Sequence, residues 1–180
     1  MSFDPQAYPS GLAQLLTDED QSALGAGKSH REVEDALAGL DLVRAFSPHK
    51  IVDITMARAC HSGLWLLHNY LEESHAISQK IGNASGSFWH GIMHRREGDY
   101  ANAKYWFRRV GDHDVYPALA AAAHQIDADL FADLPWNPSA FVDLCAAAAG
   151  GDSAMVTALR RVARCEWELL FEDSYRQAIT

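Results

Sequence analysis

The sequence predicts an all-α fold, a single-domain bundle of about seven helices. Three observations carry this. No stretch alternates apolar and polar residues with the period of two that a half-buried strand needs. Apolar residues recur instead at spacings of three and four, most plainly Val156, Leu159, Ala163, Trp167 and Leu170. Helix start and stop signals, Ser, Asp, Asn-Pro and Gly, punctuate the chain between those runs.

Taken in order, residues 1–28, with TDED followed by GAGK, read as a loosely ordered acidic arm holding at most a short helix. The helical domain is expected over 29–180. SALGAGKS (22–29) has Ser22 where a phosphate loop begins with Gly, and no strand precedes it, so it is read as coincidence. Ser29 and Glu32 have capping-box spacing and open a helix to about Phe46. Ser47 and Pro48 open a long helical stretch toward Lys80, with a break expected near Glu73 and Ser74. The loop GNASGS (82–87) ends it, and the next helix starts at Ser85 or Ser87 and closes at Gly98. Asp99 or Tyr100 opens another that ends at Gly111. An Ala-rich helix follows Asp114 and Pro117, Asn137 and Pro138 lead one to Gly150, and Asp152 caps the last.

A chain of 180 residues, 48% hydrophobic and 22% charged, has the composition of an ordinary globular protein. The opening MSFDPQAYPSG has neither the basic start nor the apolar run of a signal peptide, and no run is long enough to cross a bilayer. Cys60, Cys145 and Cys165 are scattered without metal spacing and read as reduced thiols of a cytoplasmic protein. The net charge of -9 argues against nucleic acid as partner. Yet residues 88–111 hold Arg95, Arg96, Lys104, Arg108 and Arg109 against only Glu97 and Asp99. A cationic island on an anionic body suits a small anionic molecule or an acidic peptide of a partner. An oligomer is compatible with this composition.

Gly91, Gly98, Tyr100, Ala103, Phe107 and Val110 follow one another at steps of 7, 2, 3, 4 and 3. This pattern over 91–110 resembles one tetratricopeptide repeat, in which small residues let two antiparallel helices approach and aromatics lock them. Ser87 stands at that family's early Trp position and the later Pro is displaced to Pro117. No second copy lies 34 residues either side, so the resemblance implies one helical hairpin rather than a solenoid. The string HRREGDYANAKYWFRR is also similar to strings in bacterial and fungal proteins, a likeness that implies no activity.

At about 100° per residue, the helix over 88–97 puts Phe88, Trp89, Ile92 and Met93 on one arc, with Arg96 in its midst. A guanidinium there needs a carboxylate, a ligand or a path to water. The opposite arc carries His90, His94 and Glu97, whose spacing admits a divalent metal, although no cofactor is required. Gly91 stands where the zinc-protease motif HExxH has its general base, so this is not that motif. On the following helix Tyr100, Ala103, Trp106, Phe107 and Val110 face the core. Lys104 and Arg108 form a stripe with Asn102, Tyr105 and Arg109 beside it. With Arg95 and Arg96 these are the candidate anion-binding residues.

The long helix carries His61, His68, Glu72 and His75 within about 60° of one line, on a surface otherwise mostly apolar. A break before Ser74 would take His75 off that line. Should the His90 and His94 face pack toward it, His61, His68, His75, His90 and His94 would line one cavity as metal ligands or general acid/base groups. GNASGS, leading into a helix N-terminus, is a weaker anion site. No nucleophile stands out: Cys60 and His61 diverge on a helix, and no Ser has a GxSxG context. The expected function is therefore a binding protein with a His/Arg-lined pocket for an anion. A small-molecule enzyme using the histidines, and a purely structural adaptor in which they are satisfied core groups, are the alternatives.

Overall fold

The computed structural model describes residues 3–17, 24–132, 135–148 and 154–180, and those residues are helical with no strand among them. Ten α-helices follow in order: α1 (Ser10–Ala13), α2 (Glu34–Ala38), α3 (Leu42–Ala45), α4 (Ile54–Leu67) and α5 (Leu71–Ser78), then α6 (Ala84–Glu97), α7 (Tyr100–Val110), α8 (Tyr116–Ile126), α9 (Pro138–Ala147) and α10 (Ala154–Ile179). The expected seven become ten because two long predicted helices are broken and a short helix, α1, forms in the N-terminal arm. Gly39 and Asp41 divide the first, with Asp41 capping α3 through the Val43 and Arg44 amides. The second starts late, since Pro48 sits in a turn after a cis peptide and Asp53 is the residue that caps α4. It then breaks at 68–70 rather than at 73–74. Asn69 takes a left-handed conformation there (φ 65°), which asparagine tolerates better than most residues.

Two further expectations are corrected by local chemistry. Ser29 does not cap a helix; its hydroxyl donates to the Asn69 carbonyl. GNASGS is not a loop, because Asn83 accepts from the Gly86 amide and starts α6 at Ala84. The caps at Asp99 and Asn137 and the left-handed Gly98 fall where expected. Gly150 and Asp152, the predicted end of one helix and cap of the last, lie outside the described residues, as do Ser22 and Ala23 of SALGAGKS. No helix among the described residues is long and apolar enough to cross a membrane.

Helix α4 is buried on nearly every side from Met56 to Leu67 and packs against α5, α6 and α10, as its all-round apolar sequence predicts. Close approach here needs glycine: a Cβ on Gly63 would lie 2.7 Å from the Trp89 ring of α6, and the Gly63 carbonyl accepts from Trp167 Nε1 of α10 at 2.9 Å. Residues 3–17, expected to be loosely ordered, pack into this core. Leu12, Leu15 and Leu16 are buried, and the Phe3 and Tyr8 rings lie edge-on to Phe171. Helices α6 and α7 form the most extensive helix pair. Gly91 faces Phe107 across it, where a Cβ would come within 3.1 Å of the ring.

One polar contact lies deep between α6 and α10. Arg95 and Glu166 are both fully buried, joined by two parallel bonds, Nη1 to Oε1 at 3.1 Å and Nη2 to Oε2. The guanidinium lies 4.6 Å from the Phe141 ring centroid. Burial disfavours its charge, and the Glu166 carboxylate more than offsets that. Removing one partner from such a pair costs about 3–5 kcal/mol because a bare charge remains in the core, whereas replacing both with apolar groups is often neutral. Glu166→Gln is therefore expected to lower the unfolding free energy by about 3–5 kcal/mol in urea denaturation, and Arg95→Met with Glu166→Leu to recover most of it. A Glu166→Gln loss below about 1 kcal/mol would contradict this account.

Candidate metal centre

Helix α6 supplies His90 and His94 one turn apart, and α5 brings His75 across to them. One ring nitrogen of each lies within 4.8 Å of the other two. The ring centroids are 4.6 Å (His75–His90), 4.7 Å (His90–His94) and 5.4 Å (His75–His94) apart. His90 and His94 are buried and His75 is half-buried, so the cluster opens on the His75 side. Trp106 of α7 covers His90, centroid to centroid at 4.0 Å.

Hydrogen bonds hold both buried rings in place. Ser78 Oγ, 3.4 Å from the His75 carbonyl, is also bonded to His90 Nδ1 at 3.2 Å, which leaves Nε2 of His90 without a part in that bond. His94 Nδ1 faces the Glu97 carboxylate at 3.3 Å, the carboxylate–histidine arrangement that leaves Nε2 as a ligand atom. Asn102 Nδ2 donates to that Nε2 at 3.0 Å. Burial, reinforced by the neighbouring His94 and His75, pushes His90 down to about 3. Burial also lowers His94, against the pull of Glu97. Both rings are thus neutral at neutral pH, the form a metal requires.

The other predicted histidines lie elsewhere and are satisfied. His61 bonds the Leu37 carbonyl at 2.9 Å and stacks on Trp65. His68 ends a directed chain: Arg96 Nη2 donates to Asn69 Oδ1, and Asn69 Nδ2 to His30 Nε2 at 3.4 Å. His30 Nδ1 then donates to His68 Nδ1 at 3.1 Å, and His68 Nε2 to the Leu15 carbonyl at 2.8 Å. Five histidines in one cavity is therefore corrected to three. The break at 68–70 is the cause, since it turns His75 away from His61 and His68 and toward α6.

The predicted anion clamp is also divided. Arg95 is held by Glu166 within the core. Arg96 donates to the carbonyls of Gly25 (3.1 Å), Leu66 (2.5 Å) and Ala26 (3.3 Å), as well as to Asn69. Lys104 pairs with Asp143 of α9 at 2.5 Å. Arg108 is exposed, and Arg109 lies over the rings of Trp106 (5.3 Å) and half-exposed Tyr105 (5.9 Å). Only Asn102 of the clamp touches the histidine cluster.

Sequence reasoning did not single out Ser78 or assign Trp106 to the cluster. Ser78 follows His75 by three and so shares its helical face, a signal present in the sequence; the turn of Trp106 toward His90 depends on packing. Ser85, His113 and Asp173 also meet, but not as a catalytic triad. His113 Nδ1 accepts from the Val115 amide at 3.2 Å, so its proton is on Nε2, the atom facing Ser85 Oγ at 3.2 Å. That imidazole has no lone pair to offer the serine.

Comparison with family models, curated proteins and solved structures finds no match to this chain.

The pH dependence follows from His90. In the metal-free protein the unfolded chain protonates residue 90 below its ordinary 6.5, whereas the folded state refuses the proton until about 3. The unfolded state binds more protons between those values, so stability falls as pH drops through the window. His90→Asn, which keeps a donor for Ser78, should flatten the slope of unfolding free energy against pH between about 3 and 6.5, measured with chelator present. An unchanged slope would contradict the assignment.

Proposed function

We propose that the protein binds a divalent transition metal, with His75, His90 and His94 as its three protein ligands. The observation that carries this reading is their convergence from two helices, with the His90 and His94 rings kept neutral by burial and positioned by Ser78 and Glu97. Tetrahedral zinc with bonds of about 2.0–2.1 Å places ligand nitrogens about 3.3 Å apart. Small rotations of the rings close the distance from the present spread. Neutral nitrogen donors without thiolate suit zinc, copper or nickel better than magnesium or calcium, which prefer oxygen.

Under this reading the α6–α7 hairpin, with Gly91 against Phe107, is a single tetratricopeptide-like unit acting as scaffold. It holds Asn102 and Trp106 against the ligands. The metal reading is thereby favoured over the purely structural adaptor, which gives no reason for three imidazoles from two helices to converge within reach of one ion.

Zinc titration of the chelator-stripped protein tests this. One equivalent is expected to bind, and zinc at a hundred times its Kd to stabilise the fold by about 2.7 kcal/mol. His75→Ala, at a half-buried position, should abolish that gain. His61→Ala should keep it whatever it does to baseline stability. Absence of saturable zinc binding, or equal loss in both variants, would overturn the proposal.

A further inference from the structure

Resting on the metal reading, we infer that the centre keeps one coordination position open and that its ligand there is a small oxyanion, a carboxylate or phosphate. Structural zinc sites have four protein ligands, whereas three-histidine sites leave the fourth position to water or substrate. Three features around this cluster point to an anion in that position.

The first is the Asn102 amide. In the metal-free protein its N–H is satisfied by the His94 Nε2 lone pair at 3.0 Å. A metal takes that lone pair, and the donor is left beside the cation without its acceptor. An oxygen bound to the metal replaces what it lost, at hydrogen-bond distance and with the charge that strengthens such a bond.

The second is charge. Three neutral imidazoles leave both positive charges of a divalent ion uncompensated. Glu97 is committed through its Oε2 to His94 Nδ1 and reaches the centre through that ring. Asp99 accepts from the Asn102 backbone N–H as the cap of α7. An exogenous anion supplies the missing negative charge on the side left open by His75.

The third is the layer beyond Trp106. One ring system carries His90 at 4.0 Å between centroids and the Arg109 guanidinium at 5.3 Å. Tyr105, half-exposed, is the second ring under that guanidinium, at 5.9 Å. A cation carried on the indole that covers His90 favours a ligand with negative charge over a neutral one. The basic island in the sequence thus acts at its edge, through Arg109, Tyr105 and Asn102, rather than through the pairs that Arg95 and Lys104 already make.

Cobalt(II) loading of the full chain tests this, because its visible bands report both coordination and ligand exchange. The bands of the loaded protein are expected to shift saturably on titration with sodium acetate and with sodium phosphate, and the two salts separate carboxylate from phosphate preference. Asn102→Ala should weaken the anion by about tenfold, the usual worth of one bond to a charged group. Glu97→Gln should still respond to anions. Bands that ignore both anions, with the four-coordinate spectrum lost in Glu97→Gln, would show Glu97 closing the site and overturn the inference while leaving the metal reading intact. Absence of any cobalt band would remove both.

Discussion

Helix α6 has no solvent face. From Ser85 to Arg96 every residue is buried, yet this run includes two serines, two histidines and two arginines. A buried polar group without a partner costs more than most single contacts contribute. Partners are therefore arranged along α6, from its own last turn and from the segments around it: Glu166 for Arg95, backbone carbonyls for Arg96, Ser78 for His90, Glu97 and Asn102 for His94, Ser174 for Trp89 and His113 for Ser85. Much of the specificity of the fold is the satisfaction of this one segment. The histidine cluster is the part of that satisfaction in which three imidazoles are brought together.

The same constraint decides which arginines reach a ligand. Arg95 and Arg96 are adjacent in sequence and turn to different partners, one into an ion pair with α10 and the other onto the carbonyls at 25–26 and 66. Each is a positioning group. Arg96 also anchors the directed chain that runs through Asn69, His30 and His68 to Leu15, which fixes the tautomers of both histidines and holds the N-terminal segment against the break after α4.

Helical class, most caps and the central place of α4 were legible in the sequence because they depend on short-range periodicity and on residues such as Asp99, Gly98 and Asn137 that act locally. Arg96 was recognisable as needing a buried partner, although its carbonyl partners lie about 30 and 70 residues away and could not be read from spacing. His90 and His94 were legible as a one-turn pair. That His75, alone of the line it shares with His61 and His68, would join them was not legible, since the break at Asn69 depends on bonds to Lys28 and Arg96, and the rotation of α5 follows from it. Within the expected loose arm TDED and GAGK dominate the composition, while Leu12, Leu15 and Leu16 find their places only against the assembled core.

His75, His90 and His94 come from neighbouring helices joined by a few residues, whereas Arg95 and Glu166 are separated by 71 positions. Bringing chain ends together costs entropy that grows with the length of the intervening loop. The three imidazoles can therefore meet early, while the α6–α10 pair must wait for the distant helix to arrive. Until then the guanidinium keeps its hydration, and its desolvation is deferred to closure of the bundle. The local cluster and the remote ion pair thus divide α6 between a part that can organise itself and a part that registers completion of the whole chain.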